Sequence, residues 1–445
     1  MDVDGYRELL RPLFAGRKVV LTGAVVQAHT GQVAALRDFG SERCLVIAGQ
    51  GTGPVPGDED AEVLVLDVAA PDMVEEIRRW ERLHADPPPE VLDALQRYDP
   101  EGNALVLVPP FDSTSALAGR PTWGARPPSW TALEDKTIVD ALCDRAGVVR
   151  PPSEVVPVEA GALRAAAAGL DAGAGTVWAG DARDGFNGGA VCVHWVCGDG
   201  DADAAIAALT ARCAQARVAP FLEGVPCSIH GVVTGDGVAA LRPVELLTLR
   251  APTRPRLRYA GTATVWDPDP ADREAMRQAV RQIGEALRAE VGYRGFFTVD
   301  GVLTADGFRP TEVNPRFGAG LLAYGTALPD LPLPLLHRGI IAGALYPCAA
   351  DLEAVLLRAA DDTRVATAWM AVAGARPEPR EEELADGISV GVGPSAMGAF
   401  VRVSFDVDSL PPGEPVGPAA AAALTEADER FGLGLGPLEA AVAVR

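Results

Sequence analysis

The chain has 445 residues, a formal net charge of -22, and a composition that is 48% hydrophobic and 6% aromatic. At about 150 residues per domain, this length predicts roughly three domains, each with enough apolar residues for its own core. The acidic excess is spread along the chain and no basic stripe is present, so neither a nucleic acid nor an anionic membrane surface is expected as a partner.

Lysine is nearly absent: the 39 basic residues include only two lysines, Lys18 and Lys136. A Walker A loop ends in Gly-Lys followed by Ser or Thr, and a protein kinase needs a lysine on a strand, but neither lysine here follows a glycine. The sequence therefore excludes P-loop NTPases and ordinary protein kinases. A lysine kept in so arginine-rich a chain is a candidate functional residue.

The seven cysteines form no Cys-x-x-Cys pair and no Cys/His ligand spacing, so neither a zinc site nor a disulfide framework is predicted. The segment from Met1 to Leu10 carries acidic residues instead of a basic, apolar signal region, and no apolar run is long enough to cross a membrane. We therefore expect a soluble, cytoplasmic protein with reduced thiols.

Residues 17–110 alternate short apolar runs with helical patterns. This alternation predicts a parallel sheet covered by helices on both faces, as in a Rossmann-like domain. Glycines after the strand-like runs offer a second role, cradling a nucleotide phosphate, but none completes Gly-x-Gly-x-x-Gly, so a structural domain is favoured. The predicted strands are 18–21, 44–47, 63–66 and 105–108, and the predicted helices are 32–39 and 73–83.

The remainder of the chain carries further local signals. Residues 109–130 are rich in Pro, Gly, Ser and Thr and predict a linker. Thr131 and Glu134 form a capping-box pattern for a helix that Gly147 ends. Apolar residues at helical spacing predict another helix that Gly292 stops. A strand at 400–407 and a helix at 419–431 are predicted near the C-terminus.

Two strands are predicted around a turn at 305–307. A three-residue hairpin loop that ends in glycine is favoured because its last position needs a positive φ. Such a loop pairs Thr304 with Phe308, and counting outward places Asp300 opposite Glu312. Facing carboxylates repel each other on a bare sheet, so the pattern favours a bound cation. The alternative is a hairpin whose acids face water.

The same hairpin carries other groups suited to a divalent cation. Asn314 lies two residues past Glu312 on the same pleat face and adds a neutral oxygen. Mg²⁺ held by few protein ligands usually completes its shell with nucleotide phosphates. Arg316 follows the strand end, where it can bind a phosphoryl group in transfer. We therefore predict Asp300, Glu312 and Asn314 as Mg²⁺ ligands and Arg316 as the catalytic residue.

With these residues the sequence resembles the ATP-grasp superfamily of carboxylate-amine ligases, whose second half ends in an acid, a turn and Glu-x-Asn-Pro-Arg. Here these features are Asp300 and residues 311–316. The resemblance implies ATP and Mg²⁺ as cofactors and a multidomain fold of the α/β and α+β classes. The implied parts are a Rossmann-like pre-ATP-grasp domain (1–128), two α+β subdomains of the ATP-grasp core (129–210 and 211–348) and a C-terminal α+β domain (349–445).

The resemblance also implies roles for residues before the hairpin. The run Leu133-Glu-Asp-Lys136 is similar to the family's first ATP-contacting lysine, with a solvated helix lysine as the alternative. Residues 219–224 are similar to the hinge over the adenine. Backbone groups around Phe221 and Leu222 would read the adenine edge. Glu223 would hold the ribose hydroxyls, with a plain turn acid as the alternative.

A glycine-rich run at 185–189 lies between predicted strands at 176–179 and 190–196, where the family has its phosphate lid. Amides of such a loop can close over the β- and γ-phosphates. Asn-Gly is also a common hairpin turn, so the loop alone is not specific. The implied phosphate-binding residues are Asn187, Gly188 and Gly189.

One feature departs from the family. The family normally has a second lysine on the strand before the glycine loop, and residues 176–180 contain none. Arg183 is one substitute, and the loop amides together with Arg316 are another; a degenerate, non-catalytic member is also compatible with the gap. His194 and His230 lie on strand-like runs, and a hydrogen-bonded core position is favoured for both over a place in the pocket.

The resemblance implies an enzyme that phosphorylates a carboxylate and lets an amine attack the acyl phosphate, with release of ADP and phosphate. The layout, with its additional C-terminal domain and lysine-free glycine loop, is most similar to a peptide ligase of natural-product biosynthesis. The implied partners are a small-molecule or amino-acid carboxylate donor and a peptide or amine acceptor, and homodimerisation is compatible with them. The alternatives are a ligase of two small metabolites and a non-catalytic, ATP-binding regulatory protein.

Overall fold

The computed structural model describes residues 1–51, 53–183, 188, 190–251, 254–374 and 377–440. The chain begins with a sheet in the order β3-β2-β1-β4-β6-β5, in which all neighbours are parallel except β6 and β5. Its elements are α1 (Val3–Phe14), β1 (Val19–Val25), α2 (Thr30–Asp38), β2 (Cys44–Gly49), β3 (Ala61–Leu66), α3 (Met73–Ala85), α4 (Pro89–Tyr98), β4 (Leu105–Leu107), β5 (Ala116–Leu117) and β6 (Arg120–Trp123).

The predicted parallel sheet is confirmed, and so is its cover on both faces. Alternate residues of β2 belong to two separate apolar clusters, since Val46 packs with α1 and α2 whereas Leu45 packs with α3 and α4. The linker predicted at 109–130 needs correction, because β6 lies within it and pairs with β4. A strand of this kind carries little apolar periodicity, so its pairing was not visible in the sequence.

A smaller antiparallel sheet follows, in the order β7-β10-β8-β9. Helices α7 and α8 cover one of its faces through an apolar cluster that includes Leu163, Trp178 and Leu209. The elements of this region are α5 (Pro128–Thr131), α6 (Val139–Ala146), β7 (Glu154–Pro157), α7 (Ala160–Leu170), β8 (Thr176–Gly180), β9 (Val193–Val196), α8 (Asp199–Arg212) and β10 (Gln215–Pro220).

The helix predicted from Thr131 to Gly147 is broken into pieces. A short 3-10 turn at 132–134 separates α5 from α6, and the Thr131 hydroxyl donates to the Pro128 carbonyl at 3.1 Å. The predicted capping box is therefore wrong. Gly147 does end α6, with a φ of 69° that suits a residue without a side chain.

The largest sheet runs in the order β16-β15-β11-β13-β14-β17-β20-β19-β18, with β12 beside β11 and β21 beside β13. Its C-terminal strands extend the sheet that carries the predicted metal hairpin. Its elements are β11 (Val225–Val233), β12 (Val238–Ala240), β13 (Val244–Ala251), β14 (Arg254–Ala263), α9 (Pro270–Val291), β15 (Gly295–Thr304), β16 (Gly307–Asn314), α10 (Leu321–Ala327), α11 (Leu333–Ile341), α12 (Ala349–Asp362), β17 (Ala366–Ala373), β18 (Arg380–Ala385), β19 (Ile388–Ser395), β20 (Gly398–Phe405), α13 (Gly417–Phe431) and β21 (Glu439–Ala440).

Helices α9 and α13 cover the same face of this sheet. Cys227 and Val299 pack under α9, and Ala368 and Val401 pack under α13. The helix stop at Gly292, the strand near 400 and the helix near 419 are confirmed. The domain boundaries at 128, 210 and 348 stay a prediction. Within the described part of the chain, no helix has both the length and the apolar character needed to span a membrane.

Candidate functional site

The hairpin β15–β16 brings the two predicted carboxylates together, because Asp300 pairs directly with Glu312. The turn itself differs from the prediction: Thr304 pairs with Gly307 instead of Phe308. The register is then one residue short, and a β-bulge beside Asp300 restores it. The predicted pairing is therefore correct although the predicted turn is wrong.

Asp300 lies in a hydrogen-bonded cluster on the face of the large sheet opposite α9 and α13, called the site face below. The Ser228 hydroxyl donates to one Asp300 oxygen, and the Asn314 amide donates to the other at 2.8 Å. Burial and the nearby charge of Glu312 raise the pKa of Asp300, against the opposing effects of Ser228, Arg316 and Lys136. Both acids have protein partners although their side chains are partly exposed, so the alternative of a hairpin whose acids face water stays open.

Lys136 supplies a positive charge to this acid pair. Its ammonium nitrogen lies 3.1 Å from Glu312 Oε1, and the side chain is only 6% exposed. The residue follows the 3-10 turn at 132–134, which directs it toward the hairpin across 176 residues of sequence. The alternative of a solvated helix lysine is therefore wrong, and Lys136 stands beside a predicted metal ligand.

Arg316 is held by polar and aromatic contacts among the described residues. Its Nε donates to Glu134 Oε1 at 3.0 Å, and its Nη2 donates to Asn314 Oδ1 at 3.0 Å. The guanidinium carbon lies 4.7 Å from the centre of the Phe111 ring. Arg126 also donates to Glu134, which is buried. Arg316 is therefore held in one orientation next to the acid pair.

Sequence reasoning missed the residues that hold Arg316. The capping-box pattern predicts Glu134 as a helix cap, whereas it bridges Arg126 and Arg316. The predicted linker includes Phe111, whose ring lies against the Arg316 guanidinium. A capping-box pattern and a buried ion-pair bridge look alike in sequence, so no local signal distinguishes the two roles of Glu134.

The donor set fits a hard divalent cation. Asp300 and Glu312 offer carboxylate oxygens and Asn314 offers an amide oxygen, the ligand types that Mg²⁺ prefers. Among the described residues, no group of three or more His, Cys, Asp or Glu is suited to a metal. A cation at the hairpin would therefore need oxygens from another molecule, and nucleotide phosphates provide them.

The predicted hinge after β10 carries an aromatic and charged cluster. Phe221 stacks on Trp195 with ring centres 4.3 Å apart, and the Arg250 guanidinium lies 4.8 Å from the Phe221 ring. Arg250 also binds both oxygens of Glu223, at 3.1 and 2.6 Å. The Phe221 amide donates to the Gly175 carbonyl at 2.9 Å, so it is already occupied.

This cluster changes the expectation for the hinge. A planar adenine can lie against the Trp195 and Phe221 rings, and the Leu222 amide is the better candidate to read its edge. Glu223 is ion-paired with Arg250 and its side chain is 47% exposed, so the alternative of a plain turn acid stays open. Its ribose role stays a prediction.

Comparison with solved structures shows whole-chain likeness at low sequence identity. The L-amino acid ligase from Bacillus licheniformis has a TM-score of 0.54 and 12% identity, over 97% of this chain and 100% of that chain. A second similar structure is the biotin carboxylase domain of 2-oxoglutarate carboxylase from Hydrogenobacter thermophilus, in complex with MgADP, ADP and bicarbonate. It has a TM-score of 0.57 and 13% identity, over 87% of this chain and 86% of that chain.

Carboxyaminoimidazole ribonucleotide synthase from Aspergillus clavatus, complexed with ATP, has a TM-score of 0.52 and 13% identity, over 94% of this chain and 98% of that chain. No family model matches the sequence, and no curated protein matches it as a relative. The chain has the ATP-grasp fold. The structural likeness establishes the fold. At identities this low it does not show the activity, for which the site geometry is the evidence.

The glycine loop of this ATP-grasp fold is described only in part. Asn187 and Gly189, two of the predicted phosphate-binding residues, lie outside the described residues. The carbonyl of the third, Gly188, accepts from the Val191 amide at 3.3 Å. Just before the loop, the Ala182 amide donates to Asp135 Oδ2 at 3.1 Å. Asp135 therefore links the segment of Lys136 to the base of the loop.

The basic residues near β8 are engaged by the protein. Arg217 pairs with Ala179 across the β8–β10 ladder, and its Nε lies 2.9 Å from each Asp140 oxygen. One Arg183 nitrogen donates to the Ala211 carbonyl at 3.3 Å. The structure therefore brings an arginine beside the lysine-free strand, but a carboxylate already neutralises it.

The two histidines occupy different places. His230 is fully buried, its Nδ1 lies 2.8 Å from the Thr298 hydroxyl, and burial lowers its pKa to about 3. His194 pairs with Trp178, so both side chains share the face that α7 and α8 cover. The core position favoured for both residues is confirmed for His230 and is consistent with the pairing of His194.

Proposed function

We propose that the protein is an ATP-dependent ligase that joins an amino-acid-like carboxylate to an amino group through an acyl phosphate. The observation that carries this proposal is the pairing of Asp300 with Glu312 beside a fixed Arg316 in an ATP-grasp fold. A protein that only binds a nucleotide has no need for two facing carboxylates and an arginine at the same point. Such an arrangement suits charge neutralisation during phosphoryl transfer.

Each group of site residues would have a separate role in binding ATP. Asp300, Glu312 and Asn314 would hold Mg²⁺, which supplies charge neutralisation on the phosphates. Lys136 lies close enough to Glu312 to reach the same phosphates once a cation takes over that carboxylate. Arg316 would orient the γ-phosphate. The Trp195 and Phe221 rings would hold the adenine.

The proposed chemistry consists of two displacements. A donor carboxylate oxygen attacks the γ-phosphorus, the bond to the bridging oxygen breaks, and ADP leaves. The acceptor nitrogen then attacks the acyl carbon, loses a proton, and phosphate leaves with one oxygen of the donor. No covalent bond to the protein is required, so positioning and electrostatics supply the catalysis.

The finer proposal is that the acceptor is the α-amino group of a peptide. Its support is the sequence layout, which is most similar to the peptide ligase of pheganomycin biosynthesis, and the structural likeness to an L-amino acid ligase. Under this proposal the protein acts in natural-product biosynthesis. Joining two small metabolites is the other ligase reaction that this geometry allows.

The test is to incubate the protein with ATP, Mg²⁺ and pooled amino acids and peptides, and to identify products by mass spectrometry. The nucleotide product separates an acyl phosphate, which gives ADP and phosphate, from adenylation, which gives AMP and pyrophosphate. With ¹⁸O in the donor carboxylate, one label should appear in phosphate as the amide forms. AMP as the product, or unlabelled phosphate, contradicts the mechanism.

A regulatory ATP-binding protein without turnover is the second candidate. The observation that favours it is the lysine-free β8, beside which Arg217 is neutralised by Asp140. Tight MgATP binding without ADP release, across a broad panel of acids and amines, would support this candidate and contradict the ligase.

A further inference from the structure

The site face continues from the acid pair into the C-terminal strands. Ser228 pairs with both Asp300 and Val244, so the three residues share one face. Alternate residues of a strand lie on the same face, so Val244, Leu246 and Thr248 of β13 share it. Thr248 pairs with Tyr259 of β14. The Tyr259 side chain therefore stands on the same face as the acid pair.

The pairing extends one strand further. Leu246 pairs with Thr262, and Thr262 pairs with Thr367 of β17. Trp369 lies two residues beyond Thr367 and so points to the site face, while its neighbour Ala368 packs under α13 on the other side. The C-terminal strands thus present side chains to the same side as Asp300 and Glu312.

Three aromatic rings occupy this extension. The Tyr259 and Trp369 rings meet edge to face with centres 5.3 Å apart, and Trp369 stacks on Phe400 at 5.9 Å. Phe400 pairs with Ala371 and so shares the face of Trp369. Both Trp369 and Phe400 are only partly buried, although their strand neighbours are enclosed in the core. These rings, called the aromatic strip, leave surface available for a further planar group.

The hydroxyl of Tyr259 connects the strip to the reaction site. It is buried, and it has no hydrogen-bond partner among the residues that the structure describes. Burial raises the pKa of Tyr259, the charge of Asp300 raises it further, and that of Arg316 lowers it. The hydroxyl therefore lies within electrostatic range of Asp300 and of Arg316. A buried O–H without a partner is costly unless a bound molecule satisfies it.

We infer that Tyr259, Trp369 and Phe400 form the donor subsite, in which Tyr259 donates a hydrogen bond to the reacting carboxylate and the two rings bind an aromatic side chain of that donor. This inference rests on the proposed function. The nearby Arg316 favours a carboxylate over an ammonium group at this position. The strip begins at the reacting carboxylate and leads away from it, as the side chain of an amino-acid-like donor does. Offset and edge-to-face contacts with both rings would then select a planar side chain.

The experiment uses the full chain with MgATP and hydroxylamine as the acceptor. Hydroxylamine attacks the acyl phosphate, releases phosphate and gives a coloured hydroxamate complex with iron, so the natural acceptor is not needed. The donors are L-phenylalanine and L-tyrosine against L-alanine and L-serine. We expect kcat/KM to be about tenfold higher for the aromatic donors.

Substitutions assign this preference to the strip. Trp369→Leu and Phe400→Leu should each lower kcat/KM for the aromatic donors toward the value for alanine and so remove most of the preference, and Trp369→Phe should retain it. Tyr259→Phe should lower kcat/KM about tenfold for every donor, because it removes only the hydrogen bond. Phe431→Leu, which acts on the α13 face, and Tyr346→Phe, at an exposed tyrosine, are matched controls that should leave all donors unaffected.

The outcomes separate the two proposals. If carboxylates react but alanine and serine are used as well as the aromatic donors, the subsite is wrong and the ligase stands. If the strip variants lower MgATP binding and every donor equally, their role is structural and the subsite is wrong. If no carboxylate yields hydroxamate or ADP, the ligase proposal fails and the subsite fails with it.

Discussion

Replacement of Asp300 by Asn should stabilise the protein when no divalent cation is present, while it removes activity. The pKa of Asp300 is raised to about 7 from an ordinary 3.8, by burial first and then by Glu312. The folded state therefore binds this proton more tightly than the unfolded chain does. The contribution of protonated Asp300 to the free energy of unfolding is therefore fully present below the pKa that Asp300 has in the unfolded chain. It is lost as the pH rises through the pKa that Asp300 has in the folded protein.

The magnitude follows from the two pKa values. Each tenfold change in proton affinity corresponds to about 1.4 kcal/mol, so ionising Asp300 at pH 8 costs up to about 4 kcal/mol of unfolding free energy. The side chain is partly exposed, and screening by water reduces this to about 2 kcal/mol. Asp300→Asn carries no such charge, so it should be about 2 kcal/mol more stable than wild type at pH 8 and equal to it at pH 4.

The assay is thermal unfolding by calorimetry from pH 4 to pH 8 in EDTA, repeated with saturating MgATP. Wild type should gain about 2.7 kcal/mol at a hundredfold excess of ligand over its Kd, and the variant should gain much less. Asp306→Asn, at the exposed turn of the same hairpin, is the matched control and should change neither property. A variant that is less stable than wild type at pH 8 in EDTA, or that retains full turnover, would refute the reasoning.

Three further predictions concern ATP. Lys136→Ala should raise the KM for ATP at least about tenfold, because its ammonium group lies beside the acid pair, whereas Lys18→Ala, which changes the other lysine, should not; equal effects would contradict the assignment. Gly188→Val should impair ATP use more than Arg183→Ala does, since Arg183 already donates to a backbone carbonyl; the reverse order in steady-state kinetics would make Arg183 the phosphate ligand. Arg250→Leu should weaken ATP binding several-fold by calorimetric titration, because the hinge rings lose their cation, and an unchanged Kd would exclude the hinge cluster from the adenine site.

The sequence by itself determined the local features of the site. Period 2 along the strands placed Glu312 and Asn314 on one face of the hairpin, and the predicted pairing of Asp300 with Glu312 holds because a bulge offsets the shorter turn. Helix stops such as Gly292 were equally readable, since a left-handed residue after an apolar helical run favours glycine. These features depend on residues close together in sequence, so a pattern can show them.

Only the tertiary structure decided which distant residues complete the site. Lys136 meets Glu312, and Glu134 holds Arg316, across long stretches of chain that no local pattern relates. The β-bulge beside Asp300 is likewise not visible in the sequence. It compensates for a turn that is one residue shorter than the predicted one. The site face extends to Trp369 because β17 pairs with β14 in one continuous sheet. Pairing between strands that are distant in sequence depends on how their faces pack, and local sequence patterns do not show that packing.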